Sequence, residues 1–321
     1  RLDHRTVLRE RRQFAARMPD DIKRIRALYR QADGGLRAAV RKQGWSMPLL
    51  GAGLAVLLVL PLRLWLRRMG RRYAASGHAP AGRLRRTGLA VWLLLVGTLL
   101  PGLAALALIA GLNAISAIPP RLESVAGMFV TASFVAAFIA ALADCLLAPH
   151  RPSWRLLNID DVAALRLRRF AWGAAWLTWL TLLLREVSRA ARTSQVGTVT
   201  LDGVVALTYV ALIMAMLVTL TQLHRRRAAE AAQAEQQAGD AAQTKLPRVA
   251  RSGWLVLARL GGHLTVLSAL LAVLLGYLNF AMFVAQQMVW LTVVVLAITL
   301  LTRFADDFSL WLATPDGALG R

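Results

Sequence analysis

The residues with the greatest chemical capacity lie in one polar stretch, where His150 precedes Asp160 and Asp161. An imidazole close to two carboxylates could perform general acid–base chemistry, because histidine exchanges protons near neutral pH. Adjacent residues on a helix do not face each other, however, so the two carboxylates do not form an acid–base pair. Their position in the first turn of a predicted helix explains both charges without catalysis.

The sequence contains no other pattern typical of an enzyme or a metal site. Its five histidines are not at ligand spacing with one another, with cysteine or with a carboxylate. The one cysteine, Cys145, excludes a disulfide or a cysteine-based metal site within one chain. Motifs of serine hydrolases, phosphate-binding loops and dinucleotide sites are missing from the sequence. We therefore predict a protein that is not an enzyme and that needs no cofactor or metal.

Apolar segments of membrane-spanning length lie on both sides of this polar stretch and must position it. Of the 321 residues, 57% are hydrophobic, which is too high for a soluble domain with this many uncharged runs. We predict an all-α, polytopic helical membrane protein with about seven transmembrane helices arranged as lipid-facing hairpins. The predicted spans are 46–66, 88–112, 125–147, 170–184, 204–223, 260–281 and 286–304, with the last turn between Asn279 and Gln287.

The formal net charge of +22 comes from arginines that cluster between the apolar runs. This distribution indicates membrane topology and argues against nucleic-acid binding. The successive connections alternate in basic residues: seven in 67–86, one in 113–124, five in 150–169, three in 185–203, six in 224–252 and none in the last turn. The first, third and fifth connections are therefore predicted to be cytoplasmic.

Residues 1–44 form a separate basic region, ahead of a transmembrane domain that covers 45–321. Ile22, Ile25, Leu28 and Tyr29 share one helical face, and Gly34–Gly35 predicts a break between two amphipathic helices. The region is either the end of a periplasmic helical domain or a helix bound to anionic headgroups. The charge alternation places this region outside despite its thirteen basic residues. We therefore expect a large translocated domain before Arg1 and a chain that is an internal segment. If the chain instead begins at Arg1, one span is miscounted.

Two polar segments of the transmembrane domain are predicted to be helical. Residues 155–169 have acids in the first turn and bases in the last, which favours an interfacial helix. The residues expected to contact lipid headgroups are Trp154, Arg155, Arg166, Arg168 and Arg169. Residues 224–252 are predicted to extend a span as a cytoplasmic helical loop that ends near Gly239 or Pro247.

Three ionisable residues, Asp144, Arg259 and His263, lie at or near the cytoplasmic ends of predicted spans. Intramembrane charges often mark a proton or ion relay, but snorkelling to the interface explains these three better, because all three are within reach of the cytoplasmic interface. A relay needs ionisable groups at the midplane, where this sequence has mainly Leu, Ala, Val, Thr and Gly. The pattern therefore argues against a coupled secondary transporter.

The string LLAPHRPSWRLLNIDDVAALRLRR, followed by a Trp-rich span, resembles the large, multi-span members of the bacterial small-conductance mechanosensitive (MscS-like) ion channel family. RERRQFAARM is similar to the end of their periplasmic domain, and TLLTRFADDFSLWLATPDGALGR to the segment before their pore. The resemblance implies a membrane-tension-sensing arm, in the bacterial inner membrane, of an ion channel that protects against osmotic downshock. It also implies membrane lipids as partners and self-association into a homo-heptamer. The pore helix and the vestibule of the family are missing from this sequence, so no pore residue is assigned.

Other functions fit the same membrane architecture. The chain could be a non-channel helical scaffold that recruits partners through its basic loops, or a transporter subunit or lipid-handling enzyme. A pore helix and vestibule after Arg321 in the full protein would decide for the channel, and a catalytic domain there would decide for the enzyme.

Overall fold

The computed structural model describes residues 4–76, 84–147, 161–237 and 277–313, with Gly261, Leu264, Leu267, Ser268, Leu271 and Ala272 between the last two ranges. Within these residues all regular secondary structure is helical, as predicted. The helices are α1 (His4–Gln43), α2 (Ser46–Leu57), α3 (Arg63–Ala75), α4 (Leu84–Ala114), α5 (Glu123–Leu147), α6 (Asp161–Ala190), α7 (Gln195–Gln237) and α8 (Leu278–Ala313). A π-helical turn, Leu58–Leu62, joins α2 to α3, and a 3-10 turn, Pro120–Leu122, precedes α5.

Five helical stretches among the described residues are long and apolar enough to cross a membrane. They are Ser46–Ala74, Leu84–Ala114, Pro120–Leu147, Gly197–Gln222 and Phe280–Leu312. These five coincide with five of the predicted spans and are compatible with a multi-pass membrane protein. The predicted span 170–184 lies inside α6, which is not among the five, and 260–281 lies mostly outside the described residues.

The amphipathic region at the start of the chain is one helix of 40 residues, so the predicted break at Gly34–Gly35 is wrong. Glycine costs only about 1 kcal/mol in a helix interior, and packing can outweigh that cost. A Cβ at Gly35 would lie 3.2 Å from the carbonyl oxygen of Ala117, so the missing side chain lets α1 approach the α4–α5 connection. The helix ends before Gly44, whose φ of +77° favours glycine.

The hydrophobic face predicted on α1 is only partly buried. Leu28 is buried, whereas Ile22, Ile25 and Tyr29 are exposed. Burial shifts to Asp21, which is 6% exposed because it binds the α6–α7 connection. Polar contacts, and not the apolar face, therefore define this side of α1.

The first span changes its helical geometry at Pro61. Proline has no N–H to donate and its ring clashes with the carbonyl of the preceding turn, which explains the wider turn at Leu58–Leu62. Because one residue corresponds to about 100° of rotation, an extra residue in the turn changes which side of the following helix faces the bundle. The two arginines at the start of α3, Arg63 and Arg67, lie directly after this turn and are half-buried.

Two further boundaries differ from the predictions. The described part of the predicted interfacial helix, 161–169, continues into α6 without a break, so it is not a separate element. The turn predicted between Asn279 and Gln287 is also wrong, because α8 runs through both positions. The polar residue Gln286 is tolerated there because its side-chain oxygen accepts a long hydrogen bond of 3.5 Å from Arg185. The helical extension predicted after residue 224 is confirmed as far as Gln237.

The helices pack mainly with their neighbours in sequence: α2 with α4, α4 with α5, α5 with α6, and α7 with α8. One apolar core lies between α7 and α8, around Tyr209 and Met282. A second joins α4, α5, α6 and α8, around Leu142 and Leu300. Alanine is frequent in both cores, as expected where helices approach closely in a membrane.

The bundle has two ends that the polar contacts distinguish. At one end, the connections at 115–119 and 191–194 contact α1, and we call this end of the bundle the α1 end. We call the Asp144 end the one where α5 ends and α6 begins.

Candidate functional site

The most charged site in the described structure surrounds Asp144, near the C-terminus of α5. Its Oδ1 accepts a hydrogen bond of 2.6 Å from Arg168 Nε and one of 3.2 Å from Trp172 Nε1. Both donors lie on α6, four residues apart and therefore on one face of the helix. The Arg168 guanidinium also lies over the Trp172 ring, 5.9 Å from its centroid.

A second basic contribution to this site comes from the first span. Arg67 Nη2 lies 4.0 Å from Asp144 Oδ2, and the Asp144 side chain is only 17% exposed. Arg63 is one turn earlier on the same helix and interacts electrostatically with Arg67 and Asp144. A carboxylate near a helix C-terminus is unfavourable by itself, so these guanidinium groups compensate the charge of Asp144.

Arg63 and Arg67 are incompletely satisfied by the residues around them. The Nε atoms of both side chains are buried, and neither has a hydrogen-bond partner in the part of the chain that the structure describes. Buried donors of this kind are uncommon in folded proteins. We call Arg63, Arg67, Asp144, Arg168 and Trp172 the Asp144 cluster.

A different polar network joins three helices toward the α1 end. Arg185 Nε on α6 donates a hydrogen bond of 3.0 Å to Asp202 Oδ1 on α7, and Arg185 also donates to Gln286 on α8. Both side chains of the ion pair are about one-third exposed or less. The network therefore fixes the relative positions of three helices at this end.

The centre of the bundle contains hydroxyl groups and no charge among the described contacts. Tyr209, 1% exposed, lies 3.1 Å from Thr178 Oγ1, and Thr178 itself donates to the carbonyl of Ala174 at 2.8 Å. Trp179 Nε1 donates to Ser133 Oγ at 3.2 Å. These contacts connect helices but provide no titratable chain across the bundle.

The predicted site residues have different outcomes. Asp144 pairs with Arg168 at 2.6 Å, and the predicted contact of Arg168 with lipid headgroups stays a prediction. Arg166 is half-buried and Arg169 is exposed on the same helix. Four of the predicted residues lie outside the described residues: Trp154, Arg155, Arg259 and His263.

The adjacent carboxylates behave as expected for neighbours on a helix where both are described. Asp20 is exposed and pairs with Lys23 at 3.2 Å, whereas Asp21 points the other way and binds Ser194. Asp307 accepts a hydrogen bond of 3.0 Å from Thr87, which joins α8 to the start of α4. Within the described ranges, no three His, Cys, Asp or Glu residues form a group that could hold a metal ion.

Sequence reasoning missed Arg63 and Arg67 as part of a site. A signal was present, since two arginines four residues apart follow a long apolar run and occupy one helical face. Their proximity to Asp144 could not be inferred, because it depends on how the first span packs.

Comparison of the chain with family models, with curated proteins and with solved structures found no match.

Proposed function

We propose that the chain is the membrane-tension-sensing arm of a mechanosensitive ion channel in the bacterial inner membrane, where the channel protects against osmotic downshock. The observation that supports it best is the lipid exposure of the first span. Only 6% of the most apolar 18-residue stretch of Ser46–Ala74 is buried, against 33% for Leu84–Ala114. Leu49, Leu50 and Leu54 are each at least half exposed, so this span presents an apolar face to lipid.

We propose seven membrane crossings arranged as lipid-facing hairpins: the five apolar helices, α6 and 260–281. Support for α6 comes from its position antiparallel to α5. Its residue Trp172 contacts Asp144 near the end of α5, whereas Trp179 contacts Ser133 nearer the start. Its 30 residues span about 45 Å, enough for a bilayer core.

The Asp144 end would face the cytoplasm. The described part of the Arg-rich connection, 67–76 and 84–86, lies at this end together with the extension of α7 after residue 224. This placement agrees with the positive-inside rule. The α1 end, with few basic residues in its connection 113–124, would then lie outside. In this orientation α1 covers the outer connections of the hairpins.

Membrane tension would act on this arm by changing the membrane area that the protein occupies. Membrane tension favours the state that occupies the larger area, and the work equals tension multiplied by the area change. A lipid-exposed first span that tilts or moves outward changes that area. The Asp144 cluster would transmit the movement, because Arg67 on the first span and Arg168 on α6 both contact the same carboxylate.

The partners of the arm would be membrane lipids and other copies of the chain, in a homo-heptamer. α8 also presents a broad apolar surface: 11% of the most apolar stretch of Phe280–Leu312 is buried. Lipid or a neighbouring copy would cover this surface, which includes Leu291, Val294 and Ile298.

Patch-clamp recording of the complete protein tests the proposal, in a bacterial strain that lacks other tension-gated channels. We expect tension-activated current, and a higher tension threshold when the lipid-facing pair Leu50→Asn/Leu54→Asn is introduced. The matched control Ile22→Asn/Ile25→Asn changes two exposed residues of α1 and should leave the threshold unchanged. A correctly inserted complete protein that gives no tension-activated current would contradict the proposal.

A further inference from the structure

The charges of the Asp144 cluster do not balance. Arg63, Arg67 and Arg168 bring three guanidinium groups to one carboxylate, which leaves two positive charges in excess. The ion pair of Arg168 with Asp144 is short, at 2.6 Å, whereas Arg67 lies 4.0 Å from the same carboxylate. Arg168 and Trp172 therefore satisfy Asp144, and the two arginines of the first span are compensated only weakly.

The hydrogen bonding of the two first-span arginines is also incomplete. Both Arg63 and Arg67 carry a buried Nε without an acceptor among the described residues. The Arg67 side chain is 22% exposed although its Nε is buried, so part of the side chain is accessible from outside the bundle. Removing a guanidinium from water without providing acceptors is costly, and a bound anion would offset this cost.

We propose that Arg63 and Arg67, together with Arg168, form a binding site for a phosphate group, supplied by the headgroup of an anionic phospholipid. Guanidinium groups bind phosphate through paired N–H donors, which fits two arginines on one helical face. The site lies near the C-terminus of α5 and beside the arginines of α3. In the proposed orientation this end of the bundle would meet the anionic headgroups of the cytoplasmic leaflet. Asp144 keeps Arg168 in place and limits the affinity by its own negative charge.

This inference does not require the channel function. A chain that binds the phosphate group but gives no tension-activated current would retain the site and lose the proposed function. Conversely, a tension-gated current that persists after loss of phosphate binding would support the channel function and show that it does not need the site.

Native mass spectrometry of the full chain in detergent can measure binding of phosphatidylglycerol, with phosphatidylcholine as the zwitterionic comparison. We expect phosphatidylglycerol to bind more tightly than phosphatidylcholine. The double variant Arg63→Gln/Arg67→Gln should lose at least about tenfold in affinity for phosphatidylglycerol, since each charge-assisted hydrogen bond changes binding by about that factor. The matched control Arg68→Gln/Arg72→Gln removes two exposed arginines of the same helix and should retain the affinity.

A second variant, Asp144→Asn, should change the affinity for phosphatidylglycerol in the opposite direction. Asp144→Asn keeps an oxygen that accepts from Arg168 and Trp172 but removes the competing negative charge. We expect it to increase the affinity for phosphatidylglycerol several-fold, whereas a purely structural ion pair would predict unchanged or weaker binding.

Inorganic phosphate distinguishes the two sources of the anion. Millimolar phosphate is added as a competitor of the lipid for this site. If it displaces phosphatidylglycerol from the wild-type chain but does not displace the lipid that still binds to Arg63→Gln/Arg67→Gln, the site recognises the phosphate group itself. If phosphate does not compete while the double variant still loses binding, the site requires the lipid headgroup with its chains. Equal affinities of the double variant and of its matched control would overturn the proposal.

Discussion

Asp21 on α1 binds Ser194 at the connection between α6 and α7, 173 residues later in the chain. The carboxylate accepts hydrogen bonds of 2.8 Å from the Ser194 backbone N–H and of 2.5 Å from its hydroxyl group. Arg24, one turn further along α1, donates to the carbonyl of Arg192 at 2.6 Å. These contacts hold a long, mostly exposed helix against the end of the bundle.

Replacing Asp21 should release this part of α1. Asp21→Ala removes charge-assisted hydrogen bonds of a buried group, so we expect a loss of about 2–3 kcal/mol in the local stability of α1. Hydrogen exchange of the amides between residues 21 and 43 measures it. Asp20→Ala is the matched control, because Asp20 is exposed and, among the described contacts, pairs only with Lys23. An exposed salt bridge of this kind contributes about 0–1 kcal/mol to stability. Equal exchange in both variants would exclude the contact as the anchor of α1.

Removal of Asp144 should destabilise the whole bundle. Asp144→Ala leaves Arg168 and Arg67 without their carboxylate, and we expect a loss of about 3 kcal/mol in the free energy of unfolding. Denaturant-induced unfolding in detergent measures this change. The double variant Asp144→Ala/Arg168→Met should recover much of the loss, because an apolar pair replaces an unpaired charge. A double variant as unstable as the single one would show that Asp144 acts through other contacts.

The crossing of the first two spans depends on two glycines. A Cβ on Gly51 would lie 2.7 Å from the carbonyl oxygen of Ala107, and one on Gly111 would lie 2.9 Å from that of Met47. Gly51→Ala therefore forces the helices apart, and we expect a loss of about 1–3 kcal/mol in the free energy of unfolding.

Gly53 provides the matched control on the same helix, since an added Cβ there meets no atom within 4 Å. Gly53→Ala should be neutral or should stabilise the helix by up to about 1 kcal/mol. Thermal unfolding of both variants in the same detergent compares them directly. A melting temperature of Gly51→Ala equal to that of Gly53→Ala would show that the spans do not cross at this point.

The hydrogen bond of the Tyr209 hydroxyl group should contribute much less to the free energy of unfolding than the packing of the Tyr209 ring. Thr178 uses its hydroxyl hydrogen toward Ala174, so the Tyr209 hydroxyl donates to Thr178. Tyr209→Phe removes only the hydroxyl group and its hydrogen bonding, and we expect a loss of about 0.6 kcal/mol in the free energy of unfolding. Tyr209→Ala also leaves a cavity in the core between α7 and α8, with an expected loss of about 3–5 kcal/mol. Denaturant-induced unfolding of the two variants gives both values, and similar losses would mean that the hydroxyl group dominates.

The positions of the apolar helices follow from the sequence because they depend on local composition. A run of about twenty apolar residues must be helical in lipid, whatever lies beside it. The spans at 46–66, 88–112 and 125–147 therefore lie inside helices at the expected places. The same local argument explains why Asp20 and Asp21 have different partners, since adjacent side chains on a helix diverge.

Boundaries that depend on packing could not be predicted in this way. Gly34–Gly35 and Gln286–Gln287 have the composition of a break, yet both lie within helices. In each case a partner distant in sequence provides the compensating contact: Ala117 for Gly35 and Arg185 for Gln286. A local pattern contains no information about such a partner.

The sequence by itself determined the class of the protein: an all-helical chain with several apolar helices and arginines between them. Only the tertiary structure decided what its charged residues do. The sequence marks Arg168 and Asp144 as charges near a membrane interface, whereas the structure shows that they pair with each other and that Arg63 and Arg67 approach them from another span. The physical reason is that hydropathy is additive along the chain, whereas the environment of a charge depends on which helices approach it.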